Sequence, residues 1–284
     1  MSDVNFLDLP QEFRDPDGAA IAILPVPYDA TGTWKKGADR GPAAILEAST
    51  KVERYDIETA TEPYRHGIVT LDAVAFDGPP EGLVDVVQAR TAILLQGGQL
   101  PVLLGGEHSI SIGAIRAAAA AFPQLSVLQI DAHADTRESY AGSDCNHACV
   151  MARARELCPI VQVGIRSVDI SELEALDTER VFWAHQLDGD DAWIERAVSL
   201  LGPDVYVTID VDAFDPALVP ATGTPEPGGM SWRQVTGLLA ALTASHRVVG
   251  FDVVELLPQA GDHACDFLAA KLVYRFLAMI FVNR

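Results

Sequence analysis

Eight short apolar, β-branched runs punctuate the chain, and most of the intervals between them carry the 3.6-residue period of an amphipathic helix. The runs are AIAILPV, GIVTLDAV, LPVLLGG, LSVLQIDA, PIVQVGI, RVFWA, DVYVTIDVDAFD and HRVVGFDVVEL. The helical segments are PAAILEAS, GLVDVVQARTAILLQ, SIGAIRAAAAAF, HACVMARARELC, AWIERAVSLL and SWRQVTGLLAALTA, the first opening on Pro42 and the last preceded by Ser231 as N-cap. Strand–helix alternation of this kind predicts an α/β fold with a mostly parallel sheet and helices on both faces. The sequence has no internal repeat, low-complexity tract or Gly/Ser linker, so one domain over residues 1–284 is expected.

Charge narrows the partners. Twenty Lys and Arg stand against 40 Asp and Glu, a formal net charge of −20, which repels nucleic acid and anionic membrane and suits a cationic substrate. Four cysteines (Cys145, Cys149, Cys158, Cys265), with no basic-then-apolar stretch in MSDVNFLDLPQEF, predict a reduced, cytoplasmic setting without a disulfide framework. The apolar segment FLAAKLVYRFLAMIFV is short and carries Lys271 and Arg275, so it reads as a docked C-terminal helix and not as a membrane span.

In an open α/β sheet, ligands gather beyond the carboxyl ends of the strands. Those positions are rich in acid and imidazole: Glu107-His108-Ser109 follows LPVLLGG, Asp131-Ala132-His133-Ala134-Asp135 follows LSVLQI, and Asp210-Val211-Asp212 follows VYVTI. Residues two apart in an extended segment share a face, which aims Asp131 with His133, and Asp210 with Asp212, at one site; Asp135 joins if the chain turns there. Asp131, Asp135, Asp210 and Asp212 with His108 and His133 are too many ligands for one tetrahedral ion. Two ions sharing carboxylates would use them all. Burying four carboxylates without cations is prohibitively costly, and the oxygen-rich set favours Mn²⁺, with Zn²⁺, Co²⁺, Ni²⁺ or Fe²⁺ as substitutes.

GGEHS at 105–109, DAHAD at 131–135 and DVDAFDPALVPATGTPEPGG at 210–229 resemble the signatures of the arginase/agmatinase (ureohydrolase) family. The likeness extends to VPYDATGTWKKGADRGPAAILEAS, NHACVMARARE, VQVGIRS and GFDVVELLP, and the HACVM form is similar to short bacterial and archaeal agmatinases. The resemblance implies a three-layer α/β/α fold around an eight-stranded sheet. It implies that His108, Asp131, Asp135 and Asp210 hold one manganese, and Asp131, His133, Asp210 and Asp212 the other, with Asp131 and Asp210 bridging. It implies a hydroxide nucleophile generated by the ions, attacking the guanidinium carbon, with Asp135 among the catalytic residues. His147 corresponds to the family's proton-shuttling histidine and Glu255 to its guanidinium-binding glutamate. Trimers or hexamers of identical chains are also implied.

Several residues have supporting readings. Asp252 and Glu107 are expected behind the site, and Thr222, Thr224 and Glu226 in the loop at its entrance. Cys145 and Cys149 lack the spacing of a zinc site. Arg137 stands where arginases carry an asparagine that reads the substrate's carboxylate. A cation there would favour a guanidino acid unless Glu138 neutralises it or turns it away. The leading expectation is hydrolysis of agmatine to urea and putrescine, with N1-aminopropylagmatine as a larger substrate. Alternatives are 4-guanidinobutyrate, 3-guanidinopropionate, arginine or a formimidoylglutamate-type amidine, and, outside catalysis, a silent polyamine sensor.

Overall fold

All eight apolar runs form strands in the computed structural model, which describes residues 4–282. They are β1 (Ile21–Val26), β2 (Ile68–Thr70), β3 (Leu100–Gly105), β4 (Leu125–Ile130), β5 (Ile160–Ile165), β6 (Val181–Trp183), β7 (Asp204–Asp210) and β8 (Arg247–Val254). They pair in parallel in the order β2-β1-β3-β8-β7-β4-β5-β6. The α-helices are α1 (Gly41–Ser49), α2 (Pro80–Gln96), α3 (Ile110–Ala121), α4 (Val150–Arg155), α5 (Ala192–Ser199), α6 (Trp232–Ser245) and α7 (Ala264–Phe281).

Both faces of the sheet are apolar because helices cover both, and the two-residue period of each strand divides its side chains between them. Val102, Leu104, Leu128, Ile130, Val207 and Ile209 share a hydrophobic cluster with Ile45 of α1, Ile194 of α5, Leu238 of α6 and Phe276 of α7. Leu103, Val127 and Tyr206 face the other way and cluster with Leu83 and Val87 of α2, Ile112 and Ile115 of α3, and Val150 of α4. Each such side chain contributes on the order of 1.5–3 kcal/mol by leaving water.

Helix boundaries follow local chemistry. Ser231 Oγ accepts from the Gln234 N–H (3.3 Å) and Gln234 Oε1 accepts from the Ser231 N–H (2.8 Å), closing a capping box on α6. HACVMARARELC is helical only over α4. Its His147–Cys149 portion is a 3₁₀ turn capped by Asn146, and the Met151 and Ala152 amides of α4 donate to the Asp135 carbonyl instead of to a preceding helical turn. α7 begins before the apolar run at Ala264, and its Arg275 is buried against Asp56, with Glu58 at 2.6 Å. No helix among the described residues is long and apolar enough to cross a membrane.

The topology places one crevice. After β3 the chain enters β4 on the far side of β8 and β7, which arrive last and fill the gap. The carboxyl ends of β3, β8, β7 and β4 therefore lie side by side at the reversal of strand order, where ligands bind in open α/β sheets. Just past β3 the chain presses against the β1 loop: the Gly106 N–H donates to the Val26 carbonyl at 2.9 Å and Glu107 N–H to that of Tyr28 at 2.8 Å. A Cβ on Gly106 would fall 1.9 Å from the Tyr28 oxygen, and backbone cannot yield there cheaply. Gly106→Ala is therefore expected to cost more than about 4 kcal/mol. Denaturant unfolding checks it, and an unchanged midpoint would refute the close approach.

Candidate metal centre and active site

His108 follows β3; Asp131, His133 and Asp135 follow β4; Asp210 ends β7, with Asp212 in the next turn; Glu255 follows β8. The strands stop at Ile130 and Asp210, so the extended pleat does not aim these pairs, as the sequence suggested. Turns do. Asp131 Oδ1 accepts from the His133 N–H at 2.6 Å and Asp210 Oδ1 from the Asp212 N–H at 2.8 Å, each side chain closing a turn on its own backbone. Arg166, which sequence reasoning assigned no role, holds the second turn from below: its Nη2 donates to the carbonyls of Asp212 (2.7 Å), Phe214 (3.3 Å) and Glu226 (2.8 Å). Asp135 and Glu255 sit at φ of 52° and 63°, a left-handed backbone that costs on the order of 1–3 kcal/mol at a non-glycine residue and marks sites held by their surroundings.

His108 Nδ1 lies 3.1 Å from Asp131 Oδ2, 2.9 Å from Asp135 Oδ2 and 3.7 Å from Asp210 Oδ2, yet makes no aligned hydrogen bond, although it is buried. The opposite ring nitrogen explains why. Nε2 is 2.8 Å from Thr208 Oγ1, whose proton goes to Asp252 Oδ1 at 2.6 Å, while Tyr206 Oη donates to Asp252 Oδ2 at 2.8 Å. Thr208 must accept from Nε2–H, so Nδ1 is the nitrogen left facing three carboxylates. A proton or a metal ion there balances their charge.

A second cluster abuts the first. His133 Nδ1 is 2.8 Å from Asp212 Oδ2 and 3.7 Å from Asp131 Oδ1, so the two oxygens of Asp131 face two different histidines. Two of the three metal-competent groups among the described residues lie here, His108–Asp131–Asp210 and Asp131–His133–Asp212; the third, Glu81–Asp144–Cys145, lies apart from them. Asp131 is common to both. Asp210 stands in the first alone, its Oδ1 held by the Asp212 amide, and Asp135 stands beside His108. Gln129 fixes Asp131 by donating to Oδ2 at 2.8 Å and is itself held by Gln162 at 2.6 Å.

The four aspartates are at most 7% exposed. Burial, then the neighbouring Asp131, pushes the Asp135 carboxyl up to about 6; burial with Asp212 and Asp131 carries Asp210 well above the ordinary range. Burial would lower both imidazoles, but Asp212 and Asp131 lift His133 to about 12, and Asp131 with Asp135 lifts His108 well above its ordinary value. Each shift registers the same deficit of positive charge, and two divalent ions would meet it.

Around the clusters opens a cavity of about 280 Å³ lined by Trp34, Arg137, His147, Asp169, Glu172 and Glu255, among others. Glu255 Oε1 accepts the His108 N–H at 2.7 Å; Oε2 lies near Gly223, 3.9 Å from where a Cβ would stand, and the side chain lines the cavity. Burial and Glu107 raise the Glu255 carboxyl to about 8. Burial, followed by the charges of His108 and His133, lowers His147 to about 4, which leaves it neutral near pH 7. Thr224 lines the cavity, Glu226 Oε1 is 4.0 Å from His133 Nε2, and Thr222 is buried behind.

Arg137 lines the cavity, but Glu138 does not neutralise it. Glu138 turns away to Arg153 (2.7 Å) and Arg155, while Arg137 lies 3.7 Å from Asp169, 3.6 Å from Glu172 and over the Tyr140 ring. Asp169 and Glu172 carry no sequence signal toward the site, because their loop follows β5 and reaches Arg137 only through the fold.

The Arginase family profile matches residues 19–279. The chain belongs to the arginase family. It is 37% identical over 270 residues to the N(1)-aminopropylagmatine ureohydrolase of Synechocystis sp., across 91% of this chain and 88% of that one. It is 34% identical over 287 residues to the agmatinase of Pyrococcus horikoshii, across 96% and 95% respectively. The crystal structure of agmatine ureohydrolase of Thermoplasma volcanium matches with a TM-score of 0.86 at 33% identity, covering 94% of this chain and 91% of that one. This arginase-family chain is therefore a hydrolase of the agmatinase-type ureohydrolases, and its two clusters are candidates for the family's binuclear metal centre.

Because Asp131 serves both clusters, Asp131→Asn is expected to retain fewer than one ion per chain, whereas His133→Ala keeps about one. Elemental analysis after dialysis reads this. Equal stoichiometry in the two variants would show that Asp131 is not shared.

Proposed function

We propose that this chain is a binuclear manganese hydrolase that cleaves agmatine to urea and putrescine. The supporting observation is the placement of both histidine–carboxylate clusters, Glu255 and His147 around one cavity. A set of four carboxylates and two imidazoles suits Mn²⁺ better than a softer ion. His108, Asp131, Asp135 and Asp210 would hold one ion and Asp131, His133, Asp212 and Asp210 the other. When bound, the ions supply Lewis acidity and lower the pKa of water enough to give a nucleophile near neutral pH.

The protein's own groups do the rest. Glu255 Oε2 accepts N–H bonds from the planar guanidinium, which orients the carbon over the clusters and offsets the buried charge of the glutamate. A C–O bond forms between water and the guanidinium carbon as neutral His147 takes the water's proton; the C–N bond to the alkyl chain then breaks, and the departing amine receives that proton from His147. Glu255 and the cavity wall hold the substrate in an orientation that presents this carbon.

The outer wall selects the tail. Asp169 and Glu172 outweigh Arg137 there, so a terminal ammonium meets net negative charge. The same two carboxylates, with the Synechocystis relative named above, favour a second reading in which the longer N1-aminopropylagmatine is the better substrate and spermidine the product.

Urea release from the manganese-loaded enzyme with agmatine, N1-aminopropylagmatine, arginine, 4-guanidinobutyrate and 3-guanidinopropionate separates these outcomes. A guanidino amine is expected to win, and preference for a guanidino acid would make Arg137 the tail anchor and overturn the reading. Asp169→Asn is expected to lower kcat/KM for the amine substrate about fivefold, as fits a partly exposed ion pair of ~1 kcal/mol. Glu255→Gln is expected to lower it roughly 30-fold or more for every guanidino substrate, and an unaltered rate would remove Glu255 from the site.

A further inference from the structure

Behind His147 lies a chain of short contacts that the reaction as described leaves unused. Thr31, in the loop after β1, places Oγ1 2.6 Å from Glu107 Oε1, 3.1 Å from the His147 backbone nitrogen and 3.0 Å from His147 Nδ1. Glu107 is fully buried and takes further donors from all sides: the Thr31 amide at 2.5 Å and the Gly32 amide at 2.9 Å on Oε2, and Ser109 Oγ at 2.6 Å on Oε1. A threonine hydroxyl has one proton and two lone pairs. The His147 amide can only donate, so it consumes one lone pair. With the Thr31 proton given to Glu107, the remaining lone pair must receive a proton from His147 Nδ1.

We infer that Thr31 is a positioning residue for proton transfer: it locks His147 as the Nδ1–H tautomer, so that Nε2, on the far edge of the ring, presents its lone pair to the cavity. The arrangement Glu107–Thr31–His147 does for this histidine what a buried carboxylate does for the histidine of a Ser-His-Asp triad, with a hydroxyl interposed. Nε2 then takes a proton as water adds to the guanidinium carbon and returns it to the departing amine, while Nδ1–H stays in place throughout. The backbone bond from His147 to the same oxygen keeps the ring from swinging away. Tyr140, edge-on to the ring at 6.1 Å between centroids, limits its rotation on another side.

The inference rests on the reading of His147 as proton carrier, and two readouts separate the claims. The first is ¹⁵N NMR of histidine-labelled, Zn²⁺-loaded protein, with His147→Asn assigning the signal. Wild type and Thr31→Ser are expected to show His147 protonated at Nδ1, and Thr31→Val to show Nε2–H in its place. The second is kinetics on the manganese-loaded enzyme with the best substrate of the panel. Thr31→Val is expected to lose roughly 10- to 100-fold in kcat, with KM and two-ion content retained and with kcat restored in Thr31→Ser. Full kcat in Thr31→Val alongside an impaired His147→Asn overturns the inference alone, whereas full kcat in His147→Asn overturns the proton-carrier reading itself. Should Thr31→Val fail to fold, an Nε2–H signal in wild type still refutes the lock.

Discussion

Four buried carboxylates gathered with two imidazoles at neighbouring strand ends cannot remain as bare charges, and the architecture is arranged around that demand. The sheet supplies the convergence, since β3, β8, β7 and β4 end side by side at the reversal of strand order. The layer beneath supplies orientation: Thr208 and Asp252 set the proton on His108, and Gln129 and Gln162 set Asp131. Outer partners of this kind raise ligand basicity and prevent the side chains from relaxing onto one another in place of an ion.

Much of this is legible in the sequence because it is periodic or local. The strands are short apolar runs buried on both faces, the helices carry their caps, and the ligands follow the runs directly. The convergence of Asp131 with His133, and of Asp210 with Asp212, is also legible, though by a mechanism other than the pleat. Two-residue spacing in a strand and in an Asx-type turn bring side chains near each other for different reasons, and only the backbone distinguishes them. Arg166, Thr31, Asp169 and Glu172 were not legible as site residues. Each acts across a large separation in sequence through hydrogen bonds or ion pairs that leave no pattern, and none belongs to a residue type rare enough to attract notice.

Arg137 shows how a local argument goes astray. Its neighbour Glu138 was the natural candidate to offset it, yet Glu138 serves Arg153 and Arg155 instead. The acids that face Arg137 come from the loop after β5. Specificity at the outer wall thus depends on a segment that contributes nothing to the metal clusters, so tail recognition can diverge while the chemistry stays fixed.

The hydrogen bond from the His108 amide to Glu255 joins residues 147 apart, and β8, which ends just before Glu255, is the last strand among the described residues yet lies in the middle of the sheet. Most of the polypeptide must therefore be in place before the centre exists. Ion affinity in such a site is inseparable from the long-range pairing that completes the sheet, which makes assembly slow and cooperative. A chain emerging during synthesis, or one that has lost its C-terminal third, presents scattered aspartates and histidines but no reactive centre, and hydrolysis becomes a property of the finished molecule alone.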